Sequence, residues 1–176
     1  MKILKLVFCT APLFLGMAAT ARAGLVNQSI QADILYPNTS TLFQALGTAI
    51  VNPTATFTSS TNIRYVVSDT QIDITNLSGG TLLLLSASFS GIRFSEVGTS
   101  PSTILGVAIN SATNVGGFSL ANVTFDATHL FVNLSGLTLP TTADIRLDIT
   151  STPEPATSSF VGLGLSIAAA VRLFRK

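Results

Sequence analysis

Residues 144–149 read Asp144-Ile145-Arg146-Leu147-Asp148-Ile149, a strict alternation of charged and branched apolar side chains. Successive side chains of a strand point to opposite faces, so this spacing gives Ile145, Leu147 and Ile149 to a core and the charges to water. The period of two recurs. Ile72 and Ile74 alternate with Gln71, Asp73 and Thr75, while Leu130, Val132 and Leu134 alternate with His129, Phe131 and Asn133. Each segment predicts a strand with one buried face.

Working outward, further strands are expected at about 28–36, 50–58, 63–68, 104–110 and 117–125. Turn-forming pieces divide them, among them Pro37-Asn38, Ser59-Ser60-Thr61-Asn62, Ser78-Gly79-Gly80, Gly98-Thr99-Ser100-Pro101, Ser111-Ala112-Thr113-Asn114 and Gly116-Gly117. The richest stretch is Thr81 to Phe94. Its Leu82-Leu83-Leu84-Leu85 run is apolar on both faces and predicts a central strand buried between layers. Thr41 to Ala49 is expected to be a short helix, because Leu42, Phe43, Leu46 and Ile50 recur at helical spacing. Eight or nine short strands at this spacing give an all-β fold, a single β-sandwich, with a barrel as second choice. An outer-membrane barrel is disfavoured because its chain would end on a strand, whereas this one is expected to end on a helix.

Composition divides the 176 residues into three unlike parts. The hydrophobic share is 47% and the net charge +1, but six of the nine basic residues are terminal: Lys2, Lys5, Arg22, Arg172, Arg175 and Lys176. Residues 24–152 keep only Arg64, Arg93 and Arg146 against seven carboxylates, a balance of −4 with no lysine. Such a body is not expected to bind nucleic acid, which requires basic residues to displace phosphate counterions. It holds 20 Thr, 16 Ser and 9 Asn, which suit the exposed faces and turns of sheets. Its length suffices for one domain with its own core.

Residues 1–23 follow the pattern of a signal peptide: Lys2 and Lys5, an apolar run from Leu6 to Ala19, then Ala21-Arg22-Ala23 before Gly24. Small residues at Ala21 and Ala23 suit a signal peptidase, so cleavage is expected between Ala23 and Gly24. The only cysteine, Cys9, falls inside this leader, so a cleaved chain carries no disulfide and no thiol nucleophile. At the other end stand Pro153-Glu154-Pro155, an apolar segment from Phe160 to Val171, and Arg172-Leu173-Phe174-Arg175-Lys176. The prolines keep the approach extended, and a transmembrane helix is expected over 156–174. The stretch from Ala156 to Val171 spans about 24 Å at the helical rise, so Arg172 must snorkel or the bilayer thin for a full crossing. Arg172, Arg175 and Lys176 form the basic membrane stop.

Pro153-Glu154-Pro155, a short helix rich in Gly, Ala and Leu, and a terminal basic cluster together resemble the PEP-CTERM sorting signal of Gram-negative bacteria. The resemblance covers roughly the last 25 residues and departs only where Leu173 and Phe174 interrupt the basic cluster. It implies recognition and processing by a membrane-embedded exosortase, export through the inner membrane, and association with exopolysaccharide. A retained anchor helix without processing is the alternative. From Ile104 to Ile149 the run of Gly117-Phe118, Val123-Thr124-Phe125-Asp126, His129 to Leu134, Ser135-Gly136-Leu137 and Asp144 to Ile149 also loosely resembles the C-terminal half of the small β-rich bodies common among such proteins. Leu139-Pro140-Thr141-Thr142-Ala143 resembles a sortase pentapeptide, but the strand pattern that follows makes it a turn before a strand.

Chemistry is sparse. Nucleophilic catalysis requires a base beside the nucleophile, and the body offers one histidine, His129, with Asp126 nearby and no nucleophile elbow. A lone histidine does not build a zinc site, and no Asp-x-Asp-x-Asp-Gly loop marks calcium. Asp69 with Asp73, and Asp144 with Asp148, are four apart and would share a strand face, with Arg146 compensating the second pair. Exposed aromatic platforms for sugar are few, because there is no Trp and the seven Phe of the body fall mostly at core-like positions. Five Asn-x-Ser/Thr triplets, at Asn27, Asn38, Asn76, Asn122 and Asn133, are what chance gives so Asn-, Ser- and Thr-rich a chain.

The expectation is therefore a non-enzymatic protein of the cell envelope, cell surface or extracellular matrix, structural or adhesive, needing no cofactor and no metal. Its expected partners are signal peptidase and exosortase during sorting, the membrane through the C-terminal helix, and exopolysaccharide or a second copy of itself. The competing expectation is a surface or periplasmic glycan-active enzyme or carbohydrate-binding module using the sheet aspartates.

Overall fold

The computed structural model describes residues 24–98 and 101–152. The signal segment with Ala21 and Ala23, the motif Pro153-Glu154-Pro155, the helix 156–174 and the basic residues Arg172, Arg175 and Lys176 lie outside the described residues, as do Thr99 and Ser100. What is described is all-β. Among these residues no helix is long and apolar enough to cross a membrane.

Twelve strands run in chain order: β1 Ser29–Leu35, β2 Leu42–Ile50, β3 Ala55–Thr58, β4 Ile63–Val67, β5 Gln71–Asn76, β6 Leu82–Leu83, β7 Gly91–Glu96, β8 Ile104–Ile109, β9 Val123–Phe125, β10 His129–Asn133, β11 Thr138–Leu139 and β12 Asp144–Ser151. One five-stranded sheet has the order β2-β1-β7-β10-β9, a second the order β3-β4-β5-β12-β8, and β6 with β11 forms a two-stranded ladder. Every pairing is antiparallel.

The alternation that predicts the strands also sets their faces. Ile145, Leu147 and Ile149 are buried while Asp144, Arg146 and Asp148 are half-buried on the other side, and β5 repeats the pattern with Ile72 and Ile74 inward. Their inward residues share one apolar cluster with Ile30, Ala32, Ile92, Phe94, Leu130 and Val132 of the other large sheet. Tyr65 of β4 meets Phe94 of β7 edge to face, with ring centroids 6.1 Å apart. Rings in this geometry add to the area they bury, so the contact ties the two sheets together.

Three expectations need correction. Residues 42–50 form strand β2 and not a helix. Its register against β1 slips twice: Ala32 pairs with Gly47 and Asp33 with Ala45, then Ile34 pairs with Gln44 and Leu35 with Leu42. Leu46 and Phe43 are the extra residues at these bulges, and each bulge resets the alternation. The reset strand therefore mimics helical spacing. Gly47 adopts φ 99°, a backbone conformation that favours glycine.

The four-leucine run is not a central strand. Leu82 and Leu83 make only a two-residue ladder with Leu139 and Thr138, and Leu83 and Leu85 are 75% and 65% exposed. Asn76 pins this flap by donating from Nδ2 to the carbonyls of Gly80, Leu139 and Pro140 at 2.8–3.0 Å. The strand expected at 117–125 starts late, because a 3-10 turn over Leu120–Asn122 precedes β9 and Ser119 N–H donates to Asn122 Oδ1 at 2.9 Å. The count rises from eight or nine strands to twelve through β2 and the two short ladder strands, and the strand expected at 50–58 starts only at Ala55, past Pro53, whose ring lacks an N–H for the ladder.

The pentapeptide Leu139–Ala143 is a turn before a strand. Ala143 N–H donates to the Pro140 carbonyl at 2.9 Å, and β12 begins one residue later.

Candidate functional site

Two of the sheet aspartates, Asp73 and Asp144, come together around one cation. On the outer face of β12, Arg146 pairs in register with Asp73 of β5. Its Nε donates to Asp144 Oδ2 at 2.8 Å and its Nη2 approaches the same oxygen at 2.7 Å, while Asp73 Oδ1 lies 3.8 Å from Nε. Burial raises the Asp73 carboxyl above its ordinary range, with Arg146 pulling the other way. The hydrogen bond that Arg146 donates to Asp144 in turn raises its guanidinium. Charge compensation, the simple reading of this spacing, is what the side chains do.

Asp148 is held apart from that trio. Asn110 Nδ2 donates to both its oxygens at 3.1 Å, and Gln71 Nε2 donates to Oδ1 at 3.2 Å. Asp144 and Asp148 share the outer face of β12 as expected, but Asp69 lies in the β4–β5 turn and does not share a strand with Asp73. The arrangement is a flat polar face of carboxylates, amides and hydroxyls, with Arg64 Nε donating to Thr75 Oγ1 at 3.2 Å beside it. It resembles a hydrogen-bonding platform more than an acid–base pair, since two of its carboxylates converge on Arg146 and not on an open cleft.

Asp126 and His129 do meet. The imidazole Nδ1 lies 3.0 Å from Asp126 Oδ1 and 3.1 Å from Oδ2. The same carboxylate accepts the backbone N–H groups of Thr128 and His129 at 2.9 and 2.8 Å, and these bonds, with Thr128 first, hold its carboxyl below the ordinary range. The geometry is that of an Asp side chain closing a turn. His129 stacks on Phe131, centroids 6.2 Å apart, and no serine hydroxyl bonds to it among the described residues. Among the described residues no three metal-ligating side chains gather either.

Two buried acids escape sequence reasoning. Asp33 is 1% exposed and its Oδ2 accepts from Arg93 Nη2 at 2.6 Å and Gln31 Nε2 at 3.0 Å. Glu96 is buried with the Ser102 hydroxyl on both its oxygens at 3.1 and 3.0 Å, and burial pushes its carboxyl up. Asp33 falls inside the strand expected at 28–36, and Glu96 lies just past the expected stretch Thr81 to Phe94. Neither has a sequence signal, because the burial comes from neighbours distant in the chain.

An apolar cleft of about 230 Å³ is lined by Tyr36, Phe43, Ile63, Leu83, Leu85 and Leu134 among others, none charged. Tyr65 also lines it, and burial raises its phenol far above the ordinary range against a hydrogen bond with Ser59. Phe43 is 64% exposed at the rim, so the expectation that the phenylalanines fall mostly in the core holds for Phe57, Phe89 and Phe94 but not for Phe43 and Phe125, while Phe118 and Phe131 are half-buried.

Of the residues assigned to sorting, only Gly24 is described, half-buried against the β4–β5 turn. No protein-family model, curated protein or solved structure matches the chain.

Proposed function

We propose that the chain is an exported protein of the Gram-negative cell envelope or extracellular matrix, structural or adhesive, addressed by its two ends. In this reading residues 24–152 are a single β-sandwich, its two five-stranded sheets packed over the shared core. Signal peptidase cuts between Ala23 and Gly24, and an exosortase processes the tail near Pro153-Glu154-Pro155. The membrane holds the C-terminal helix through Arg172, Arg175 and Lys176, and exopolysaccharide is the surrounding partner.

The observation that carries this reading is that both ends leave the body at one pole. Leu25 N–H donates to the Asp69 carbonyl at 2.7 Å, and Ile149 N–H donates to the neighbouring Thr70 carbonyl, also at 2.7 Å. Thr152 N–H, at the end of the described chain, is tied to Thr103 O at 2.8 Å close by in the fold. A body attached at one pole can lose its leader and keep or lose its tail without breaking any strand pairing. The test is mass spectrometry of the protein recovered from its native envelope. An N-terminus at Gly24 and a C-terminus near Pro155 are expected, and a mature population intact to Lys176 would refute processing.

The polar face around Asp148, Asn110 and Gln71 favours one further reading, a carbohydrate-binding module, because amides and carboxylates in a flat array match sugar hydroxyls. A glycan array with a parallel hydrolysis screen separates the possibilities. Turnover lost in Asp144→Asn or Asp73→Asn would sink the structural role.

A further inference from the structure

Gly24 is built into the fold by a carboxylate. Val26 N–H donates to Asp69 Oδ1 at 3.2 Å, and a Cβ placed on residue 24 would collide with the same oxygen. A side chain on residue 24 would have to push the Asp69 carboxylate aside. Covalent geometry then leaves the Gly24 nitrogen within about 4 Å of the Asp69 carboxylate. Among the described residues no arginine or histidine pairs with Asp69.

In the uncleaved chain that nitrogen is a neutral amide. Hydrolysis of the Ala23–Gly24 bond adds one water, leaving a carboxylate on Ala23 and, with the proton retained, an ammonium on Gly24. The geometry points to Asp69 as the receptor for this new α-ammonium, an inference that rests on the cleavage reading above. Export processing thus creates an ion pair that the precursor lacks, at the turn where the strands β4 and β5 meet. The fold and the peptidase select different residues of one junction. Ala21 and Ala23 suit the enzyme, whereas Gly24 suits the Asp69 carboxylate.

The chain permits a selective test because residues 24–152 contain no lysine. An amine-directed acetylating reagent reaches only the Gly24 α-amine, plus Lys176 where the tail is kept. Mature wild type and Asp69→Asn, purified from the envelope of an export-competent host, are acetylated at pH 7.5 and the N-terminal peptide is followed by mass spectrometry. The expected result is severalfold slower acetylation in wild type, since a pairing carboxylate holds the amine protonated. Acetylation is also expected to lower the wild-type Tm by about 2–4 °C and to leave Asp69→Asn unchanged. Asparagine keeps an oxygen for Val26 N–H. If that variant still fails to fold, one alanine added before Gly24 in wild type displaces the ammonium and must lower Tm equally. Equal rates and equal Tm responses in the two proteins, or no effect of the added alanine, overturn the pairing alone. A mature chain starting elsewhere than Gly24 overturns the cleavage reading and the pairing with it.

Discussion

Asp33 and Arg93 face each other in register across β1 and β7, joined by a 2.6 Å hydrogen bond from Nη2 to a carboxylate oxygen that is itself buried. Only one edge of each group is used, for Asp33 Oδ1 and Arg93 Nε are buried without partners. A pair with one fully buried member contributes little net stability but is costly to break from the other side. Arg93→Ala leaves the buried Asp33 carboxylate without its cation, with Gln31 Nε2 as its remaining side-chain donor, and is expected to cost about 3 kcal/mol by urea denaturation. Replacing both residues with leucine should recover most of that loss. A double variant as unstable as Arg93→Ala would show that the pair itself stabilises the sheet.

Glu96 makes stability depend on pH with a defined sign. Its folded carboxyl is raised, chiefly by burial, so the fold retains a proton that the unfolded chain has already released. Stability is then highest below the ordinary carboxylate range and falls as pH rises from that range through the raised folded value. Glu96→Gln keeps an acceptor for Ser102 and carries no charge. It is expected to have a higher urea midpoint than wild type at pH 7 and a shallower decline between pH 4 and 7. Asp73 is raised for the same leading reason and contributes the residual slope, whereas Asp126, held low, loses its contribution as pH falls through its folded value. An Glu96→Gln profile parallel to wild type would count against this assignment.

The polar alternation that marks β5, β10 and β12 was legible because each strand has one wet face and one dry face, and the period of two survives without interruption. In β2 the same physics is present but hidden. Phe43 and Leu46 are squeezed out of register against β1, and a one-residue slip moves every later side chain to the opposite face. Leu82 to Leu85 misleads for another reason, since hydrophobicity alone cannot say whether a run ends in the core or at a rim. At the polar face, the pairing of Arg146 with Asp144 could be read from spacing on one strand. The approach of Asp73, Asn110 and Gln71 could not, because it depends on which strands flank β12. The Gly24–Asp69 junction was half legible: the cleavage pattern marks the glycine, while its carboxylate is supplied 45 positions later by a turn.

Gly91 sits where two backbones come too close for a side chain. It pairs with Asn133 of β10, and a Cβ there would collide with the Val132 carbonyl. Relief would require β7 and β10 to separate at their shared end, where Ser90 N–H also donates to Asn133 Oδ1 at 3.1 Å. Gly91→Ala is expected to destabilise by about 3 kcal/mol. Gly80, with open space around its Cβ position, is the control, and Gly80→Ala should change the urea midpoint by less than about 0.5 kcal/mol equivalent.

Two leucines test how the apolar residues divide between core and rim. Leu147 is fully buried at the centre of β12, between Ile72 and Ile109 in register, so truncation removes transfer energy and leaves a cavity in the shared core. Leu147→Ala is expected to cost about 3–4 kcal/mol. Leu83 is mostly exposed at the mouth of the apolar cleft, so Leu83→Ala should cost less than about 1 kcal/mol in the isolated protein. Parallel denaturation of both variants reads the difference directly. A Leu83→Ala loss as large as that of Leu147→Ala would mean that the four-leucine run is buried in solution, as its composition first suggests, and that the flap closes over the cleft.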